Sequence, residues 1–367
     1  MIIHSLSLEN YRNYEGCQLE FHPKHNLFYG ENAQGKTNLL EAIAYLSSLR
    51  SHRTQSAKEL TLFGQSSSRI VGKVDSRERE FTLEVSLING APSLKINDIR
   101  KKRREIEDVF YTVLFCPEDL SLIKSVSAER RKFLDTTISQ LRPNYGRALS
   151  NYQRLYKSKV RILKDWRENP SLLDTLDDFN HQLTLCGVDL IHYRAHFLKR
   201  LQSITPSILL EFSNGRDELE LLYHTVSTIS DPLASREILL EQMMEHQKSH
   251  REAEIASSSC LSGPHKDDFF ATINGQDVRK YGSQGQCRTL AISLKLAQRE
   301  LYFQEVGEYP VLLLDDVLSE LDEKRQEYLL NKVQNGQIFI TSCQQHEKSE
   351  EGAIFYIEGG TVTGIRN

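Results

Sequence analysis

The sequence predicts an α/β fold: a head assembled from both ends of the chain and interrupted by a helical arm. Three observations predict it. Near the start, the apolar strand "NLFYG" runs into a glycine-rich turn and then a helix. Near the other end, "PVLLLDD" (310–316) is too short and too apolar for anything but a buried parallel strand. Between them, from about Pro117, apolar residues recur at helical spacing over a long stretch.

Each element follows in order. Leu6, Leu8, Leu19 and Phe21 sit in short alternating runs, which read as strands. "LLEAIAYLSSL" places Leu39, Leu40, Ile43, Ala44 and Leu46 on one helical face. "FTLEVSLING" turns Phe81, Leu83, Val85 and Leu87 inward before Asn89-Gly90, a strong hairpin signal, and "VFYTVLF" (109–115) is a further strand. Leu149, Tyr152, Tyr156, Lys159, Leu163 and Trp166 then alternate at three- and four-residue spacing. After Asn169-Pro170 the pattern resumes with Leu176, Phe179, Leu183, Cys186, Leu190, Tyr193 and Phe197. Two such segments joined by a short turn predict an antiparallel, coiled-coil-like hairpin; Lys159 interrupts its seam, so the coil is expected to be short or packed against something else. β character returns around 255–275, in "GQIFITS" and in "AIFYIEGGTVTGI", a hairpin about Gly359-Gly360. The predicted head is therefore 1–117 with 256–367, and the arm is 118–255.

Composition narrows the function classes. A chain of 367 residues, 39% hydrophobic and 26% charged, has ample material for a globular core. Its net charge of −4 gives no global attraction to nucleic acid, so any DNA contact requires a local basic patch. The six cysteines are scattered, without CxxC pairs or histidines at metal-ligand spacing, and fit reduced thiols in a cytosol. No basic, apolar leader and no run of about 18 apolar residues occurs, so a cytoplasmic, soluble protein without membrane contact is expected.

The chemistry begins at "GENAQGKT". Gly30, Glu31, Asn32, Ala33, Gln34, Gly35, Lys36 and Thr37 match the P-loop pattern in its required strand–loop–helix context. Gly30 and Gly35 let backbone N–H groups face phosphates at the positive end of the following helix. Lys36 reaches the β- and γ-phosphates, and the Thr37 hydroxyl ligates Mg²⁺. The chain is thus expected to bind a nucleoside triphosphate such as ATP. Asp315, at the C-terminal end of its strand, would hold the Mg²⁺, and Asp316 would position or deprotonate the attacking water. "SELDEKR" follows, with Ser319 and Asp322 placed to turn away from the site.

"YGSQGQCRTL" (281–290) poses a separate question. Ser283 and Gln286 form a capping box that starts a helix, yet two glycines in four residues exceed what a cap needs. Ser283, Gln284, Gly285 and Gln286 resemble the ABC-type signature "LSGGQ", which contacts the γ-phosphate of nucleotide held by the other subunit. The helix N-terminus is consistent with an anion there.

Taken together, "LENYRNY", "NAQGKTNLLEAIAYLSSLRSHR", "LFCPEDL", "RRKFLD", "GPHKDD", "SQGQCRT" and "LLLDDVLSELD" resemble the RecF family, bacterial recombination mediators related to SMC and Rad50 heads. The resemblance runs through nearly the whole chain. It implies an ABC-type ATPase head with a helical arm, an ATP-dependent homodimer, and DNA binding at gaps or single-strand/double-strand junctions. It also implies partnership with RecR and RecO in loading RecA. By position, Arg12 and Asn13 would lie near the base and ribose. Bottom-up, an Arg among aromatics is equally a surface cation–π pair. "CPEDL" stands in place of a Q-loop without a Gln, leaving Glu118 or Asp119 to serve. "GPHKDD" carries Lys266 where the family has Arg; its polar residues read equally as a solvated turn. The transporter switch His is missing near Cys343, with only His346 in the vicinity, which implies slow hydrolysis.

For DNA the candidates are Arg100, Lys101, Lys102, Arg103 and Arg104 in one run, and Arg130, Arg131 and Lys132 in another. Either run can neutralise phosphates or be a solvated turn. No aromatics interleave with them, which favours backbone contact with duplex DNA. Two other functions compete. An ABC transporter subunit would be expected to have the switch His and a shorter helical region, and a small-molecule kinase would leave the Ser283 turn without a role.

Overall fold

The structure, a computed structural model, describes residues 1–343 and 352–366, so His346 lies outside the described residues. The chain forms two compact units, Met1–Leu120 with Lys295–Asn367, and Ser121–Leu294.

The first unit contains two six-stranded sheets. One has the order Thr361–Arg366, Ala353–Glu358, His25–Tyr29, Ile338–Ser342, Val311–Leu314, Thr112–Phe115. Its last five strands are parallel, and the terminal hairpin adds the antiparallel edge. The other sheet is antiparallel throughout and runs Tyr14–Glu20, Ile2–Tyr11, Ser67–Ser76, Arg79–Ile88, Ala91–Ile96, Ile99–Arg100. The Asn89-Gly90 turn has φ of 51° and 81°, the left-handed pair that a two-residue hairpin requires.

The helix Lys36–Ser48 was expected to bury one face. Instead it is buried nearly all round, because it packs against strands of both sheets. Leu39, Leu40, Ile43 and Leu46 share one core with Ile3 and Leu6 of one sheet and Phe28 and Leu313 of the other. Gln337, fully buried, joins the sheets with polar contacts: its amide accepts from Ile3 N at 2.8 Å and donates to Ile3 O at 2.8 Å. A buried amide this fully satisfied fixes how the layers meet.

The second unit holds the helices Ser127–Leu141, Pro143–Asp165, Leu176–Phe212 and Arg236–Ser257. The middle two form the expected antiparallel hairpin, with the short 3-10 helix Pro170–Thr175 at its turn. Lys159, which interrupts the seam, is fully buried and paired with Glu254 at 2.6 Å. Glu254 in turn accepts from Leu261 N at 2.8 Å and Ser262 N at 3.1 Å.

One strand lies where only helix was expected. Leu219–His224 pairs with Asp268–Ile273, which also pairs with Gln276–Asp277. This pairing draws the second unit on to Leu294 rather than ending it at 255.

A polar core ties these elements together. Arg194 donates to Asp135 at 2.9 and 3.0 Å, to Asp267 at 3.0 Å and to Pro264 O at 2.7 Å. Tyr223 and Thr225 also donate to Asp267. Burial raises the Asp267 carboxyl above its usual range, against the pull of Arg194 and these hydroxyls. The solvated-turn reading of "GPHKDD" therefore fails for Asp267 and Asp268, both buried, and holds only for exposed Lys266.

Two residues expected to face DNA also belong to this core. Arg130 is 3% exposed and grips Asp268 with two bonds of 2.6 and 2.7 Å, while Arg131 donates to Asp267 O at 2.6 Å. Their guanidinium groups are spent on internal partners. Of that run only Lys132 is exposed, 3.4 Å from Glu129.

Candidate nucleotide-binding site

The loop Gly30–Thr37 leaves the strand His25–Tyr29 and opens the helix at Lys36. Its curl requires Gly at two places. Gly30 has φ 152° and an added Cβ would stand 2.3 Å from Ile357 O; Gly35 has φ 117° and a Cβ there would meet Asn13 Nδ2 at 2.7 Å. Ala33 is also left-handed, at φ 63°.

The loop is held from outside. Asn13 Nδ2 donates to Gln34 O at 3.1 Å, Tyr14 OH donates to Gly35 O at 3.1 Å, and Gly360 N donates to Gln34 O at 3.0 Å. Gly359 N donates to Gln34 Oε1 at 2.6 Å. The β-hairpin near residue 12 and the terminal hairpin thus clamp the turn, while Glu31, Asn32 and Ala33 remain exposed. Lys36 folds back under the loop, its ammonium donating to Gly30 O and, at 2.8 Å, to Glu31 O. Cys343, at the place expected for the switch residue, has its thiol 3.7 Å from that ammonium and 2.9 Å from Asn32 Oδ1.

Asp315 meets the loop across the sheet. Thr37 Oγ1 donates to Asp315 Oδ1 at 2.9 Å, and Thr341 Oγ1 donates to the same oxygen at 2.9 Å. Asp315 is 6% exposed; burial raises its carboxyl above the usual range despite these hydroxyls and the nearby His52 and Arg53. A buried carboxylate hydrogen-bonded to a hydroxyl is a donor set that fits Mg²⁺. Among the described residues no cluster of three or more His, Cys, Asp or Glu could hold a metal.

Asp316 adopts φ 52°, a strained conformation for a non-glycine residue. Its N–H donates to Thr341 Oγ1 at 2.7 Å, and its buried Oδ1 has no hydrogen-bond partner among the described residues. Thr341 escaped the sequence reading. Only the strand register discloses it: Leu314 pairs with Ile340, so the next residues, Asp315 and Thr341, come level.

Arg12 is engaged within the protein. Its guanidinium makes two bonds of 2.8 Å to Glu41 and one of 2.9 Å to Glu59 O. Burial opposes ionisation of Glu41, but Arg12 and Ser51 outweigh it and hold the carboxyl below its usual range. Arg12 therefore ties the hairpin to the loop's helix. Asn13 accepts from Asn38 Nδ2 at 2.7 Å. Asp119, a Q-loop candidate, is engaged structurally: it accepts from Cys116 N at 2.9 Å and pairs with Lys295 at 2.9 Å.

The family model "RecF/RecN/SMC N terminal domain" matches residues 2–357. "DNA replication and repair protein RecF" of Listeria welshimeri is 39% identical over 374 residues, covering 99% of both chains. The protein of the same description from Bacillus thuringiensis is 40% identical over 369 residues, covering 99% of this chain and 98% of its own. The chain belongs to the RecF family. A solved structure of "the recombination mediator protein RecF-ATPrS in RecFOR pathway" superposes with a TM-score of 0.92 at 36% identity, covering 98% of this chain and 97% of the other. An Smc head domain from Pyrococcus furiosus, 14% identical with a TM-score of 0.55, shares the fold, an ABC-type head with a helical arm.

The remaining RecF-like features fall as follows. The signature turn forms the capping box: Gln286 N donates to Ser283 Oγ at 3.1 Å and Ser283 N to Gln286 Oε1 at 3.1 Å. Gly282 is needed for close approach, since a Cβ would stand 2.5 Å from Val278 O. Ser283 and Gln284 are exposed. Asp322 caps the helix Glu323–Lys332 through Arg325 N at 3.0 Å, and Ser319 Oγ donates to Asp316 O at 2.7 Å. In the first basic run Lys101 pairs with Glu105 and Arg103 turns inward to Ser48 O; Arg100 and Lys102 are exposed. No helix among the described residues is long and apolar enough to cross a membrane.

Proposed function

We propose that this chain is an ATP-gated DNA-binding protein of recombinational repair and replication restart. The observation that carries the reading is the Thr37–Asp315 hydrogen bond beside the clamped loop Gly30–Thr37, in a chain of the RecF family. ATP binds with its phosphates on the loop N–H groups and Lys36. Thr37 and Asp315 hold Mg²⁺, which supplies charge neutralisation at the phosphates. The unfilled acceptor of Asp316 orients water, and the lack of a switch His keeps hydrolysis slow. The turn Ser283–Gln286, with Ser283 and Gln284 exposed, caps the γ-phosphate held by a second copy, so ATP closes a homodimer around a gap or single-strand/double-strand junction. RecR and RecO are the partners, and loading of RecA is the outcome.

Sedimentation velocity tests this directly. With Mg²⁺, ATP should convert monomer to dimer and ADP should not. Ser283→Arg should block the dimer while leaving ATP binding intact, and Asp316→Asn should make the ATP dimer persist. A monomer in every condition, with ATP bound, would sink the clamp.

A further inference from the structure

One side chain near the loop has no packing role. Phe63 is 100% exposed, although the turn that carries it is well ordered: Leu62 N donates to Asn10 O at 2.8 Å and Gln65 N to Leu62 O at 3.0 Å. A bridge between Tyr11 and Thr61 holds the same segment to the hairpin. A fixed backbone thus presents a bare aromatic ring to solvent, forgoing the stabilisation its burial would bring.

The ring borders a cavity of about 640 Å³, which Arg12, Asn13, Asn38, Arg53 and Lys58 also line. Two of these residues belong to the loop's own support, since Asn13 bonds Gln34 O and Asn38 lies in the helix's first turn. The cavity therefore borders residues that support the phosphate loop. Gly359-Gly360 and Asp315 close two other sides of the loop. A nucleotide with its phosphates on the loop has this cavity as the open place for its base and sugar.

The polar groups around the ring are largely committed. Arg12 is bound to Glu41, Thr61 Oγ1 to Ser68 Oγ, and Glu59 Oε2 accepts from Thr54 Oγ1. Arg53 donates to Asn38 Oδ1 at 2.7 Å yet stays 46% exposed, a cation available to ribose-side phosphate. Such a wall offers a π-face, positive charge and, in exposed Gln65, a flexible amide that can donate to or accept from either purine edge.

We infer that Phe63 is the stacking platform for the nucleobase, and that the site takes purine nucleoside triphosphates with little discrimination between adenine and guanine. The inference rests on the nucleotide reading of the loop and adds the base-binding residue and its selectivity. Stacking is strongest for the larger purines and tolerates either ring, because both present a π-face.

Competition binding with a fluorescent ATP analogue on the full chain tests it, with ATP, GTP, CTP and inorganic tripolyphosphate as competitors in Mg²⁺. ATP and GTP should compete within about three-fold of each other, and CTP more weakly. Phe63→Ala should weaken ATP and GTP at least about five-fold, the lower end of one stacked base, and leave tripolyphosphate unchanged. Phe63→Trp should restore ATP. Wild-type ATP affinity in Phe63→Ala, or a strong preference for one purine, would overturn the inference. Lys36→Ala separates the two levels: it should abolish ATP and tripolyphosphate binding alike. If wild type binds neither, the loop reading itself falls and the inference with it.

Discussion

His265 shows how much one buried side chain can decide. Its Nε2 donates to Cys260 O at 3.1 Å, and its Nδ1 lies 2.7 Å from Tyr152 OH, which donates to it when the ring is neutral. Burial, with Lys266, Lys159 and Arg131 nearby, outweighs the Cys260 carbonyl and lowers its pKa to about 4. The unfolded imidazole titrates near 6.5. Between these values unfolding takes up a proton, so stability is complete above about pH 6.5 and falls as pH drops towards 4. Integrated over that window, the loss is about 3 kcal/mol. Urea midpoints at pH 7 and pH 5 should therefore differ less in His265→Gln than in wild type, whatever the variant's stability at pH 7. An equal pH slope in the two proteins would refute this role.

At the scale of elements, the hairpin Pro143–Asp165 and Leu176–Phe212 depends on a charge inside its seam. Lys159→Met should cost about 3–5 kcal/mol, because Glu254 would remain buried with only backbone donors and Gln247. Lys159→Met with Glu254→Gln should recover part of that loss in denaturant unfolding; additive losses would mean the pair is not coupled. The same pair shows what a sequence discloses. Heptad spacing revealed both helices and marked Lys159 as the break in the seam. It did not reveal the partner, which lies 95 residues on (254 − 159) in a helix of its own. The P-loop, the Asp315 strand, the Asn89-Gly90 turn and the Ser283 capping box were legible because each is specified by neighbours in sequence. The strand Leu219–His224 was not: its alternation is brief and its pairing partner is Asp268–Ile273. Arg130 failed for the same reason, since a basic run looks alike whether it faces water or a carboxylate 138 residues away. At the site, local spacing marked Lys36 and Thr37, while the roles of Thr341 and of Arg12 with Glu41 emerge only when strands align.

The whole molecule carries a net charge of −4, so long-range attraction will not gather DNA onto it. Affinity must come from a few local contacts, each releasing counterions and adding about one to the slope of log affinity against log salt. Burial separates the cations that can do this from those that cannot. Arg100, Lys102 and Lys132 are exposed; Arg130 and Arg131 are committed to Asp268 and the Asp267 carbonyl. Charge reversal of Arg100 and Lys102 together should therefore weaken duplex binding with ATP present, flatten the salt slope by about two, and leave the melting temperature within about a degree of wild type. Arg130→Ala should behave in the opposite way, leaving Asp268 unpaired and lowering stability by about 3–5 kcal/mol. Any DNA-binding loss in that variant should follow its unfolding rather than the salt slope. Gel shifts across a salt series, paired with thermal melts of the same preparations, distinguish the two. If Arg130→Ala melts like wild type while its salt slope falls, the second unit's polar core is not what holds that guanidinium, and the arginine belongs to the DNA surface.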